Sequence, residues 1–478
     1  MAHWLRDRGY EAYAVQGGIP ALLGKPVPEV QPPGEVPSRR DLGAGRGLAA
    51  LRHPLFRRFS LGVLLSLIGN WVEAAAFGYV VLLLGGSAAT LGIIGFLNTI
   101  PNLVFALPGG ALADRYDRRR LLILFQTANM GVAAALAVLW ATGHLTVPIM
   151  GALAVVGGTL GTLSFPAFQG MLAATVPPRD LESAVAVNSL SLQIARFVGP
   201  AIAGFLLGVA GPTWVFGVNA ASFVFVLAML ALLPPSRAVV AGTVGGIGGA
   251  MSDGIRYVFG QRSLASLMFL MVLAGLFGTP PVAFMIPAIV RFQLHGGGGT
   301  LGALMAAIGL GSVLGSVALL VLSRRPNKGE PVLLGYFATG AAIAAIGVSK
   351  SLPLSLALGF VGGLSGVLFV GLSTVVVQAM ASDEMRARAM AIWAGAFVGA
   401  LPFGALITAG LTALLGAGGA VFVDGVVLVA GGVALLAVRP EVKWVGCAAL
   451  PESCMAATDP AALALEPDLG REPEPVSA

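Results

Sequence analysis

Gly110-Ala111-Leu112-Ala113-Asp114-Arg115-Tyr116-Asp117-Arg118-Arg119-Arg120 sets six charges between two long apolar runs. Nearly everything around it is apolar, so the patch belongs where a tight turn meets water. In a chain that threads a bilayer, a basic turn of this kind marks the cytoplasmic side, because Lys and Arg accumulate in cytoplasmic loops. The glycine permits close backbone approach, the aspartate can accept hydrogen bonds at a helix end, and the arginines can pair with it or with lipid phosphate. These are the parts of a contact that forms and breaks.

Working outward, the 478 residues are 57% hydrophobic and only 10% charged, with a mean hydropathy of +0.89. Soluble domains carry about 25% charged residues, so the composition implies a polytopic, all-α membrane protein. The net charge of +6 does not point to nucleic acid: the basic residues fall in short turns, without aromatic interleaving or a continuous basic face. Cys447 and Cys454 lie in the polar tail and staple nothing across the apolar core. The histidines, His3, His53, His144 and His295, are scattered, and no HExxH, phosphate loop or GxSxG supplies a reaction centre. No enzyme activity, cofactor or metal is expected.

A bilayer core of about 30 Å needs roughly 20 apolar residues per helix. Twelve such runs stand out, at 59–84, 88–113, 119–142, 147–173, 183–210 and 213–234, then 264–290, 299–323, 331–349, 353–380, 387–413 and 417–438. They define five expected regions: a flexible cytoplasmic extension over 1–50, a six-helix bundle over 51–234, a linker over 235–262 with an amphipathic segment at Met251–Phe259 suited to the membrane surface, a second bundle over 263–440, and a disordered cytoplasmic tail over 441–478. With the N-terminus inside, one face collects almost all the basic loop residues, while the other receives only Arg291 and Lys350. Both termini are therefore expected in the cytoplasm.

The halves repeat. Thr90-Leu91-Gly92 opens the second run and Thr300-Leu301-Gly302 the eighth, and each ends in arginines, at Arg115 to Arg120 and at Arg324-Arg325. Gly199-Pro200 in the fifth run is echoed by Leu401-Pro402 in the eleventh. Two parallel six-helix repeats joined by a long linker can rock against each other around a midplane site.

These residues bring the chain to a family. It resembles the major facilitator superfamily, in the bacterial drug and siderophore exporter branch that includes enterobactin exporters and macrolide efflux proteins. The likeness is carried by Gly110 to Arg120 after the second helix, with Asp117 where many members have glycine, by Phe165-Pro166-Ala167-Phe168-Gln169-Gly170, by Val176 to Leu181, by Arg196 to Gly204, and by Pro287 to Arg291. It implies alternating access, a small-molecule substrate, protons as coupling ion and a monomer in the bacterial inner membrane. It makes Gly110, Asp114, Arg115, Arg118 and Arg119 a gating motif, in which Asp114 pairs with a nearby arginine and with the start of the eleventh helix around Ser382 to Arg386. The plainer alternative is a topology marker. Gly199, Pro200 and Gly204 match the core of the antiporter signature in the fifth helix, although Ala186, Ala195 and Ala203 replace its flanking glycines.

Of the 22 acids, only Glu73 and Asp424 fall well inside expected helices. A carboxylate there costs roughly 2.5–3.5 kcal/mol and is a functional candidate by default. Glu73 shares a stripe with Ser66, Asn70 and Phe77, giving the first helix one polar face. Arg196 is the basic residue placed mid-membrane. Each lies about 21 Å in, at about 1.5 Å per residue, so the two can meet, either as a pair that exchanges protons or as a permanent tie between the first and fifth helices. Asp424, about seven residues into the twelfth run, is expected near the outer rim, solvated or hydrogen-bonded. Gln193, Asn98, Asn188, Gln169 and Gln378 are further polar candidates. Trp71, Phe77, Phe96, Phe165, Phe284, Phe369 and Trp393 are expected around a cavity for an amphipathic cargo, or facing lipid or packed against neighbouring helices. Export is the expected activity, with uptake, or a sensor or scaffold without flux, as alternatives.

Overall fold

The computed structural model describes residues 49–234, 247–325, 327–382 and 384–444, and the side chains of all of these except 247–251 and 444. The extension up to residue 48, the Gly-rich part of the linker and the tail from 445, with both cysteines, lie outside the described residues.

Apolar runs bounded by proline and capping residues fold into helices. In the first half these are α1 (Pro54–Leu83), α2 (Ala88–Arg115), α3 (Arg118–Ala141), α4 (Val147–Ala174), α5 (Leu181–Val209) and α6 (Pro212–Ala231). Proline opens α1 and α6, where its missing N–H costs nothing. Ser87 and Thr90 form a capping box at the start of α2. Asp117 caps α3 by accepting from the Arg120 amide at 2.8 Å. α2 is interrupted at Ile100, ahead of Pro101.

The second half contains α8 (Arg262–Gln293), α9 (Gly298–Leu322), α10 (Gly329–Val348) and α11 (Leu352–Met380), preceded by the linker helix α7 (Ile247–Gly260). A final continuous helix, Arg386–Val438, runs for 53 residues. At 1.5 Å per residue it would be about 80 Å long, far more than one crossing. Gly416 breaks it, with φ 74° and ψ 173°, a conformation that glycine adopts without strain. It is therefore α12 (386–415) and α13 (417–438), and the eleven continuous spans among the described residues become twelve.

The packing repeats with the sequence. In the first half α1 lies on α5 and α6, α3 on α4 and α6, and α2 on α4. Their counterparts α8 on α12 and α13, α10 on α11 and α13, and α9 on α11 do the same. The halves meet through α2 with α12 and α5 with α9, one interface written twice under a pseudo-twofold axis. This is an all-α membrane fold of two six-helix bundles.

Two details depart from plain helices. α8 contains three π-helical turns, Ala274–Gly278, Pro281–Met285 and Ile289–Gln293. Pro280, Pro281 and Pro287 lack N–H donors and crowd the preceding turn, which widens the helix there. The linker helix does more than lie on a surface. The Tyr257 hydroxyl accepts from the Ser382 amide at 3.0 Å, and Asp253 stands 3.8 Å from Arg388, tying α7 to the start of α12. Residues 440–444 form a short 3-10 turn whose Val442 is buried, so ordered chain continues past the expected edge of the tail at 441.

Candidate transport cavity

The two halves enclose a cavity of about 960 Å³. α5 and α9 meet at mid-length, where a methyl on Gly309 would fall 2.8 Å from Phe197 Cα, and several further close approaches lie at the end away from the basic turn, the far end. A methyl on Gly204 of α5 would fall 2.5 Å from Gly302 Cα of α9, and one on Gly92 of α2 would fall 2.5 Å from Ala409 Cβ of α12. Gly78 faces Pro287, and Gly95 faces the Phe284 ring. Small residues let these backbones meet and shut that end.

Glu73 lines the cavity from α1, where its Oε2 accepts a hydrogen bond from Asn219 Nδ2 of α6 at 2.7 Å. Ser222 Oγ in turn donates to the Asn219 carbonyl at 2.7 Å and lies 3.3 Å from its side-chain oxygen. Gly69 keeps α1 close enough for this, since a methyl there would overlap the Ser222 hydroxyl. Arg196 lines the same cavity from α5, its guanidinium 5.5 Å from the centre of the Trp71 ring. The expected Glu73–Arg196 pair is not formed. The two share the cavity without a contact, because the Glu73 carboxylate turns to Asn219 and the guanidinium turns to Trp71.

Asn70 lines the cavity beside them, as does Asn98, whose Nδ2 donates to the Ala154 carbonyl at 3.3 Å. Gln193 does not line it: its amide donates to Ser316 Oγ at 2.7 Å, a tie between α5 and α9. Asp424 is also outside the cavity, and of the two settings expected for it, solvated or hydrogen-bonded, it takes the second. It is fully buried, Thr408 Oγ1 donates to its Oδ2 at 2.9 Å, and its Oδ1 has no partner. The reversal at Gly416 folds α13 back along α12 and turns Asp424 onto that helix instead of toward water.

At the basic turn, Asp114 and Arg115 are exposed, and Asp114 makes no hydrogen bond or ion pair among the described residues, so the expected lock is not formed among them. A methyl on Gly110 would meet nothing within 4 Å among the described residues, so its expected close contact is not found there. Arg119 holds the end of α6, with 2.7 Å bonds to the Leu230 and Ala231 carbonyls. Arg118 packs its guanidinium against Gly170 of α4. Gly199 seats α5 on α1, where a methyl would lie 2.5 Å from Trp71 Cβ, and Pro200 faces the cavity.

Trp71, Phe77, Phe284 and Phe369 line the cavity; Phe96, Phe165 and Trp393 do not. Three lining amides were not anticipated from the sequence: Asn219, Gln126 and Asn129. Gln126 and Asn129 stand three residues apart on one face of α3, a spacing that identifies a polar stripe.

Comparison with known proteins agrees with this geometry. Among solved structures, the chain superposes on a bacterial homologue of the lysosomal transporter Spinster, inward-facing and unoccupied, with a TM-score of 0.61 at 14% identity, covering 82% of this chain and 96% of that one. It also superposes on a D-xylose-proton symporter with a TM-score of 0.62 at 15% identity, covering 81% and 98%. Among curated relatives, it is 27% identical over 358 residues to the multidrug efflux pump Tap of Mycolicibacterium fortuitum, covering 72% of this chain and 85% of Tap. It is 25% identical over 403 residues to the enterobactin exporter EntS of Shigella flexneri, covering 82% and 93%. The fold and the relatives are those of membrane transporters and not of enzymes. The family described as transmembrane secretion effector matches residues 45–470, and the chain belongs to that family within the major facilitator superfamily.

Proposed function

We propose that this chain exports a small amphipathic organic molecule by alternating access, in exchange for protons, across a bacterial inner membrane. The observation that carries the reading is one cavity between two repeated halves that holds a half-buried acid, Glu73, bonded to Asn219, and an arginine at membrane depth, Arg196. Intramembrane ionisable groups facing a cavity mark ion and substrate pathways. The relatives named above for efflux of drugs and enterobactin support export over uptake. The basic loops favour both termini in the cytoplasm. On that orientation the closed far end is the outer one and the unformed Asp114 lock faces inward, the arrangement in which an exporter loads its cargo. The domain limits follow: a bundle over 51–234, a linker over 235–262, and a bundle over 263–440, working as a monomer.

The test is flux through purified protein in liposomes, using a panel of radiolabelled amphipathic anions, cations and neutral compounds. Efflux that accelerates when the trans side is made acidic supports proton antiport. Flux indifferent to the gradient rejects the coupling, accumulation only in the uptake direction rejects export, and no flux of any compound favours a sensor or scaffold.

A further inference from the structure

The wall of the cavity is divided by polarity. Both of its charged side chains and all five of its amides come from α1–α6. Among the described residues the second half contributes hydroxyls at Thr279, Ser312 and Thr339 as its only polar side chains, and otherwise presents apolar groups and glycines. Gly359, Gly362, Gly363 and Gly366 present backbone to the cavity, beside the apolar side chains of Val367, Phe369 and Val370.

Within the polar half, the two charges differ in how they are met. Glu73 has Asn219 at 2.7 Å. Arg196 has no hydrogen bond and no ion pair among the described residues, only the face of Trp71 at 5.5 Å. A guanidinium cannot shed its proton in a protein and carries five donors in a planar fork. Held at membrane depth without a counter-ion, it is costly, and an arriving acid group that accepts two of its donors offsets that cost.

We propose that the cargo supplies the missing counter-ion: the cavity binds amphipathic organic anions, whose carboxylate, sulfonate or acidic phenolate docks on Arg196 while the apolar body lies against the apolar wall of the second half. This deepens the export reading and rests on it. A cationic cargo is disfavoured by the same layout, since it meets Arg196 and finds a Glu73 oxygen already bonded. Trp71 serves as the platform that keeps the guanidinium turned into the cavity.

The test is equilibrium binding to the full chain in lipid nanodiscs, with three naphthalene probes of one size: 1-naphthaleneacetate, 2-(1-naphthyl)ethanol and 2-(1-naphthyl)ethylamine. Each is measured against nanodiscs lacking protein. The expected order is anion first, about tenfold tighter than the alcohol, with the amine weakest. Arg196→Gln is expected to bring the anion down to the level of the alcohol, with folding of the variant read independently as an unfolding midpoint in detergent close to that of the parent chain. Arg196→Lys keeps a positive charge and is expected to retain part of the preference. Equal binding of the three probes, no specific binding of the anion, preference for the amine, or an anion preference that survives Arg196→Gln overturns the proposal. Binding is read without flux, so a wrong charge class and a failure to export are separate results.

Discussion

Asn219 donates its side-chain amide to Glu73 at 2.7 Å, joining α6 to α1 at the polar edge of the cavity. Ser222 holds the other end of that amide, so the asparagine is oriented before any cargo arrives. Asn219→Leu keeps the volume and removes the bond, leaving a carboxylate in a low-dielectric site without its donor. The expected loss is about 1–3 kcal/mol of stability, read as a lower unfolding midpoint in detergent. In Glu73→Gln the same change should cost less, because no carboxylate is left stranded. If the two substitutions are additive, the bond contributes nothing specific.

Glu73→Gln also tests coupling. Glutamine keeps the shape and can still accept from Asn219, but it cannot carry a proton. Transport by this variant should lose its response to a pH gradient while exchange of cargo without a gradient continues. Wild-type acceleration by the gradient would remove Glu73 from the proton path.

How much of this was legible beforehand depends on whether a residue's neighbours lie on its own helix. The apolar runs, the basic turn and the small-residue positions at Gly199 and Gly204 are local or periodic patterns, and they locate helices, loops and packing faces directly. The depth of Glu73 and Arg196 followed from counting rises, and both do line one cavity. Their partners did not follow, because Asn219 and Trp71 are selected by helix rotation, which a residue count does not contain. Asp424 shows the same gap: its position along α13 was readable, whereas the face it presents depends on how the chain reverses at Gly416. The π turns of α8 were signalled by three prolines, but widened turns and simple kinks share that signature.

Asp114 is exposed and has no bond among the described residues, so in this conformation none of them loses a partner on its removal. Asp114→Asn should leave the unfolding midpoint unchanged and slow transport, if the carboxylate is needed only when the basic ends of the two halves close. A transport rate and an inward/outward balance equal to wild type, in a protein that inserts normally, would make the residue a topology marker.

Thr408 is the one hydrogen-bond donor to Asp424 among the described residues. Thr408→Val leaves a fully buried carboxyl with neither oxygen bonded, an expected loss of about 1–3 kcal/mol. Asp424→Asn should be tolerated better and should still transport, since the residue stands outside the cavity. Abolished transport by Asp424→Asn in a protein of normal stability would give Asp424 a place in the mechanism.

The seal at the far end rests on α5 and α9 meeting through Gly204 and Gly302, where a methyl on Gly302 would fall 2.6 Å from Gly204 Cα and 3.0 Å from the Pro200 carbonyl. Backbone atoms cannot yield as a flexible side chain does, so Gly302→Val must push the two helices apart. A chain with Cys447 and Cys454 replaced by serine and Phe77, which lines the cavity, replaced by cysteine provides the readout. With Gly302→Val added, that cysteine should react at least several-fold faster with a membrane-impermeant maleimide applied from outside, and transport should fall. Faster labelling with transport retained would mean that the contact closes the cavity but does not need to re-form in each cycle. Unchanged labelling would place the seal elsewhere, at Gly92 against Ala405 and Ala409.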